Sequence, residues 1–374
     1  MTTSFIPPKR ILMGPGPSDV PQRILDAMAR PTIGHLDPAF VDLMEQIKTM
    51  LRMAFHTENA LTFPVSAPGS AGMEMCFVNL VEPGDKVIVC RNGVFGGRML
   101  ENVKRCGGVP ILVDDAWGTA VDPQKVRDAL KANPDARVLA FVHAETSTGA
   151  QSDAETLGKI AQEFGVLTIM DCVTSLGGTP LYMDKWGIDA VYSGSQKCLS
   201  CTPGLSPVSF SERAVARVKA RTTPVQSWFL DLNLVLGYWQ SAGKRTYHHT
   251  APINPMYGLH EALVILEEEG LENAWARHRN MHEKLKAGLE GMGLKYVVDE
   301  AARLPQLNSI YVPEGVDEAA LRARLLSEFN LEIGAGLGDM SGKIWRIGLM
   351  GYSAKQENVD YCLKALKTCL PGSA

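Results

Sequence analysis

Between about residues 60 and 210, short runs rich in Val, Ile and Leu alternate with longer amphipathic stretches, and this alternation narrows the possible folds more than any other feature of the chain. A strand buried on both faces reads as a continuous apolar run, and the helix that crosses back to the next strand carries an apolar stripe. The strand candidates are 61–65, 86–90, 110–113, 137–143, 166–171, 190–193 and 207–210, with helical stretches at 70–81, 96–106, 123–132 and 154–164. Seven strands joined by such crossovers predict an α/β fold built on one large, mostly parallel seven-stranded sheet.

At 374 residues the chain exceeds one ordinary core, so a second, smaller domain is expected. The segment 221–255 is rich in Trp, Tyr, His and Pro and reads as an irregular connection or interface. From Met256 a long helical pattern runs towards Lys286, followed by mixed strand and helix signals to the end. The expected organisation is an N-terminal arm (1–21), a large domain (22–255) and a smaller α+β C-terminal domain (256–374).

A formal charge of -4, with 37 basic residues scattered among 41 acidic ones, offers no basic face and argues against nucleic acid as a partner. No stretch approaches the ~18 apolar residues of a membrane span. The start MTTSFIPPKR lacks the layout of a secretory signal and the end LPGSA carries no sorting address, so a cytoplasmic protein is expected. The eight cysteines sit mostly in apolar runs, as reduced thiols do. Cys198 and Cys201 form a CxxC pair with no second Cys or His pair nearby, which favours a structural role over a metal. His248 and His249 likewise lack spaced partner ligands.

Ligands of an open parallel sheet sit beyond the carboxyl ends of its strands. Three strand candidates end in polar runs: HAETSTG from His143, DCVTSLGG from Asp171 and SGSQK ending at Lys197. Asp171 follows VLTIM, so its carboxylate is partly buried and needs a cation or donors; a helix N-cap is the bland alternative. Lys197 lies in a polar, Gly-flanked turn, where a solvated charge is the bland alternative. As a pair they fit the two needs of a pyridoxal 5'-phosphate (PLP) enzyme, a lysine that condenses with the aldehyde and an acid that keeps the pyridine nitrogen protonated. The run SAPGSAGME, from Ser66, places small residues between a strand and a helix, where backbone N–H groups can hold a phosphate or simply make the turn. Arg346, isolated among apolar residues in IWRIGLMG, calls for a carboxylate, either in a structural salt bridge or on a ligand.

The runs MGPGPSDVP (13–21), NGVFGGR (92–98), HAETSTG (143–149), DCVTSLGGTPLYMDKWGID (171–189), YSGSQKCLSCTPGLS (192–206), YHHTAP (247–252) and WRIGLMG (345–351) occur in this order. Together they resemble the class V aminotransferases of PLP fold type I, in particular the alanine–glyoxylate and serine–pyruvate group, across nearly the whole chain. That resemblance implies the following roles. Lys197 is the cofactor-bonding lysine, with Gln196 a cofactor contact beside it. Asp171 partners the pyridine nitrogen. Val173 packs on one ring face, and Phe95 on the other, where the family often has Trp. Thr146 lies near the phenolic oxygen, and Arg346 grips the substrate's α-carboxylate. Pro68, Gly69 and Ser70 stand in the phosphate turn, which departs from the family's usual Ser-Gly-Ser/Thr-Gly. Pro68 has neither N–H nor hydroxyl, shifting the contacts to Gly69 and Ser70.

Tyr247 and Thr250 match residues that reach the phosphate of a neighbouring subunit, which implies a homodimer; read without the resemblance, YHHT is an aromatic interface patch. GPGPS, from Gly14, matches a segment at the mouth of the site, or reads as a rigid turn. The implied reaction is a ping-pong transamination between a small amino acid, alanine or serine, and a 2-oxo acid, glyoxylate or pyruvate. Alternatives within the family are ureidoglycine–glyoxylate, aminoethylphosphonate or pyridoxamine–pyruvate transaminases. A non-catalytic subunit that retains the fold is a further alternative. No GxGxxG follows the first strand, which disfavours a dinucleotide-binding dehydrogenase.

Overall fold

The computed structural model describes residues 2–239 and 245–370. The seven expected strands form, with their ends moved by a residue or so: β1 (Leu61–Val65), β2 (Lys86–Arg91), β3 (Val109–Asp114), β4 (Ala136–Val142), β5 (Leu167–Asp171), β6 (Ala190–Tyr192) and β7 (Ser206–Phe210). They make one sheet in the order β1-β7-β6-β5-β4-β2-β3. Only β7 runs against its neighbours. Because β7 is antiparallel to both β6 and β1, the carboxyl end of β1 returns to the same edge as those of β4, β5 and β6.

Helices cover both faces, as burial of both faces of a parallel sheet requires. Two matter for the site. Helix α1 (Gly69–Leu80) follows β1 directly, and α2 (Val94–Arg105) follows β2. Each strand side chain moved from water into this interior, such as Val87, Ile88, Leu139 or Ile169, contributes roughly 1.5–3 kcal/mol.

The single helical pattern expected from Met256 is two helices, α3 (Ile253–Glu269) and α4 (Leu271–Gly291). They break at Gly270, whose φ of +80° lies where a side chain is strained. The core around the large sheet includes Met256, Leu263, Leu266 and Trp275, so α3 and the start of α4 pack with the first core. A second core begins with Leu285 and Leu289 on α4. The expected division at 255/256 thus falls at the head of α3, and α4 carries the chain from one core to the other.

The second core backs a three-stranded antiparallel sheet of β8 (Leu307–Tyr311), β9 (Gly334–Ala335) and β10 (Ile344–Gly348), with β10 in the middle. Along β10 the side chains alternate. Trp345 and Ile347 enter the second core, which leaves Arg346 facing the large domain. The N-terminal arm is tied to the same side, since Ile11–Leu12 pairs in parallel with Leu331–Glu332. The expected irregular segment 221–255 contains the short helix Leu232–Trp239, and its residues 240–244 lie outside the described residues.

Candidate active site

Beyond the carboxyl ends of β1, β4, β5 and β6 lies a cavity of about 210 Å³. Asp171, the last residue of β5, and Lys197, in the turn after β6, both line it. So do Thr146 and Gln196. Phe95, in the first turn of α2, and Val173, just past the end of β5, line it too. The start of α1, with Pro68, Gly69 and Ser70, forms another wall. A larger cavity, of about 640 Å³ between Leu61, Phe210 and Trp239, contains none of these groups.

Burial opposes the ordinary charge states of this acid and this base. Asp171 is 4% exposed, and removal from water pushes its carboxyl up to about 7, despite the N–H of Val173 donating to its Oδ1 at 2.8 Å. Burial, followed by the neighbouring Arg346 guanidinium, brings the Lys197 amine down to about 8. An amine in that range is partly neutral near physiological pH, as a nucleophile or general base must be.

Lys197 is also tied to the GPGPS turn, a contact that sequence reasoning left without a residue. Its Nζ donates to the carbonyl of Pro15. Ser18 Oγ donates to the Lys197 carbonyl at 2.7 Å, and the Ser18 N–H to that of Gln196 at 3.0 Å. Gly16, at φ +105°, has no room for a side chain, because a Cβ there would collide with Lys197 Nζ and Cδ. The arm therefore places backbone directly against the lysine, as a chain of glycine and proline can.

Arg346 is 5% exposed, and among the described residues it makes no ion pair. Its Nε donates to the Ala335 carbonyl at 2.7 Å and its NH1 to the Thr146 carbonyl at 2.9 Å. Burial lowers its pKa to about 10, opposed by the charge of Glu145. The structural salt bridge weighed for this arginine is absent among the described residues. Its two bonds to carbonyls leave part of its donor capacity unused, and it stands near Lys197 without lining the cavity itself.

Glu145 was not singled out from HAETSTG, although a carboxylate at the end of an apolar strand is itself a signal. It is fully buried and its pKa is raised by that burial. Its oxygens accept from Ser147 Oγ at 2.5 Å, from the Ser147 N–H at 3.1 Å and from the Phe95 N–H at 3.2 Å. It thereby caps α2 from a distant strand end and fixes the backbone of Phe95. Arg98, one turn further along α2, lies 4.8 Å over the Phe95 ring and also lines the cavity. Tyr192, at the end of β6, is a further lining residue.

Tyr247 and Thr250 do not line this cavity; both are exposed, Tyr247 by 66%. The histidines between them face inward. His248 is buried, and His249 shares a hydrogen bond of 2.7 Å with Ser66 Oγ at the head of the phosphate turn. Burial drives His249 down to about 4, so it is neutral. Cys198 and Cys201 are buried free thiols, and no cluster of metal-ligating side chains occurs among the described residues.

The chain matches the family Aminotransferase class-V over residues 11–361. It belongs to the class-V aminotransferases. It is 39% identical over 366 residues to an alanine–glyoxylate aminotransferase of Oryctolagus cuniculus, covering 97% of this chain and 93% of that protein. An (S)-ureidoglycine–glyoxylate transaminase of Bacillus subtilis is 35% identical, with coverage of 97% and 91%. Among solved structures, an alanine–glyoxylate aminotransferase from Nostoc sp. superposes with a TM-score of 0.96 at 45% identity, over 99% of this chain and 97% of that one. The chain is a PLP-dependent aminotransferase of fold type I.

The residues present fit PLP. One cavity is lined by a buried acid, an amine and the head of a helix. The side-chain Oε1 of Gln196, another lining residue, is buried without a partner among the described residues. Helix α1 is capped by Pro68 with no side-chain hydrogen bond, so the Gly69 and Ser70 N–H groups remain for an anion.

Proposed function

We propose that this class-V aminotransferase moves an amino group between a small amino acid, alanine or serine, and a 2-oxo acid, glyoxylate or pyruvate, by a ping-pong mechanism. The observation that carries the reading is the buried guanidinium of Arg346, without an ion pair among the described residues, beside the amine of Lys197. An α-carboxylate bound there sets the adjoining amino group within the lysine's surroundings.

Bound in the cavity, PLP supplies an aldehyde to take up the amino group and a protonated pyridine to draw electrons from the α-carbon. The protein supplies the rest. Lys197 would hold the cofactor through its amine, and its Nζ, once free, would serve as the base for the substrate's α-proton. Asp171 would keep the ring nitrogen charged, Phe95 and Val173 would hold the ring, and Thr146 would hydrogen-bond the cofactor. Gln196 would contact the cofactor beside Lys197, and the N–H groups of Gly69 and Ser70 with the Ser70 hydroxyl would hold the phosphate end. Pro68 adds no donor there.

The relatives named for alanine, ureidoglycine and glyoxylate support a small substrate, as does the confined cavity of about 210 Å³. The same reading places the protein in a homodimer, with the exposed Tyr247 and Thr250 reaching the partner's cofactor phosphate. Eight free, buried cysteines support a reducing, cytoplasmic setting. No helix among the described residues is long and apolar enough to cross a membrane.

The test is the first half-reaction of the holoenzyme, followed by absorbance, with Ala, Ser, Gly and Asp supplied separately and glyoxylate, pyruvate or 2-oxoglutarate as acceptor. Alanine or serine with glyoxylate or pyruvate should turn over fastest, and Lys197→Ala should lose both the visible band of bound PLP and turnover. A variant that kept both would remove Lys197 from this role, and a preference for Asp with 2-oxoglutarate would overturn the substrate assignment.

A further inference from the structure

Asp171 and Tyr192 are register partners on the parallel strands β5 and β6, so their side chains leave the sheet on the same side, next to one another. Both line the PLP cavity. Tyr192 is 1% exposed, and its hydroxyl is buried with no hydrogen-bond partner in good geometry among the described residues. A buried hydroxyl left unpaired is costly, so its neighbour deserves identification.

The neighbour is the Asp171 carboxylate. One oxygen of Asp171 is taken by the N–H of Val173. The other charged or titratable groups around the carboxylate are Lys197, the buried Glu145, and the thiols of Cys76 on α1 and Cys172 on its own strand segment. The thiols are buried and protonated, Glu145 repels the carboxylate, and Lys197 is committed to the Pro15 carbonyl. Among these groups Tyr192 alone offers a neutral, short-range O–H donor that adds no charge to the site.

We propose that Tyr192 is a positioning residue for the ring acid: its hydroxyl donates to the free oxygen of Asp171, fixing the carboxylate's orientation and keeping it ionised against burial. This rests on the assignment of Asp171 as the partner of the pyridine nitrogen. A carboxylate so held leaves its proton on the ring nitrogen, where it draws electrons from the reacting carbon. Without the hydroxyl, the buried Asp171 competes for that proton and the ring becomes a weaker electron sink.

Tyr192→Phe is the test, because it removes only the oxygen and leaves the ring packing in place. In the apo protein, the carboxyl of Asp171 is titrated by infrared difference spectroscopy against Asp171→Asn. Its midpoint should rise by about one pH unit in Tyr192→Phe, the size of one hydrogen bond to a charged group. In the holoenzyme, the pH midpoint of the visible band should also move up, because a less electron-poor ring leaves the linkage to Lys197 more basic. The rate constant kcat should fall about tenfold, with KM for the amino acid little changed.

A hydroxyl with a merely structural role shifts the melting temperature and neither midpoint, and that result overturns the proposal. An unmoved midpoint in the apo protein overturns it as well, whatever the holoenzyme does. A shifted apo midpoint with an unchanged holoenzyme band supports the contact between Tyr192 and Asp171 and places the failure in the assignment of Asp171 as ring acid. Should Tyr192→Phe not fold, tyrosine replaced by 3-fluorotyrosine throughout the chain lowers the phenol pKa; the apo midpoint should then move down, and no movement overturns the proposal.

Discussion

Lys197 and Asp171 have pKa values moved towards each other by the same cause. Burial lowers the amine to about 8 and raises the acid to about 7. The shift of Asp171 is also a statement about stability. Its folded value lies above the ordinary 3.8, so the folded apo protein keeps this contribution in full below about pH 3.8 and loses it as the pH rises through about 7. Between about pH 5 and 8 the loss amounts to about 3 kcal/mol. Asp171→Asn carries no such titration. The stability difference between wild-type and Asp171→Asn apo protein, measured by urea unfolding, should therefore move in favour of the variant as the pH rises through that interval. Parallel curves would show that the acid is not buried as described. Of the residues expected at the site, those on strand ends and adjoining turns were legible because an isolated polar group at the end of an apolar run is conspicuous. Glu145 was overlooked because the motif was read for its hydroxyl at Thr146, and the role of Pro15 is carried by a carbonyl, which every residue has.

At the scale of elements, the join of β1 to α1 is where this chain departs from the usual pattern of its family. Pro68 occupies the N-cap of α1 at φ -65° and caps nothing with its side chain. A serine in its place can accept from the first turn of the helix and donate to the phosphate. Pro68→Ser should lower the dissociation constant for PLP about tenfold, by the scale of one hydrogen bond to a charged group, and raise the melting temperature of the apo protein. Fluorescence titration with PLP checks the first and calorimetry the second. An unchanged dissociation constant would mean that the phosphate is held without residue 68. Element positions were read within a residue or so wherever strand and helix periods alternated. The break at Gly270 was not, because the apolar spacing continues through it, and only the φ of +80° separates α3 from α4.

The whole molecule brings three distant stretches onto one lysine: the arm through Pro15 and Ser18, the large sheet through Asp171, and the small domain through Arg346. The exposed Tyr247 and Thr250, flanking two inward-facing histidines, leave a role for a second copy of the chain. For the homodimer proposed above, Tyr247→Ala combined with Thr250→Ala should weaken PLP binding while the assembly persists in sedimentation. Diluting the wild type until it dissociates should weaken PLP binding to a similar degree. A fully PLP-loaded monomer would refute the shared site.

Hydrophobic periodicity was enough to read the seven strands, their crossovers and the edge at which a ligand site must lie, because apolar spacing is a local property written along the chain. The identities of Lys197 and Asp171 as a pair were also visible, since each ends an apolar strand or its following turn. Tertiary structure alone decided that Arg346 has no carboxylate partner among the described residues, that Glu145 fixes Phe95 and that Tyr192 stands beside Asp171. Those relations join residues far apart in sequence, through sheet register and domain packing, and burial then sets their charge states. No spacing along one chain encodes which strand becomes the neighbour of another.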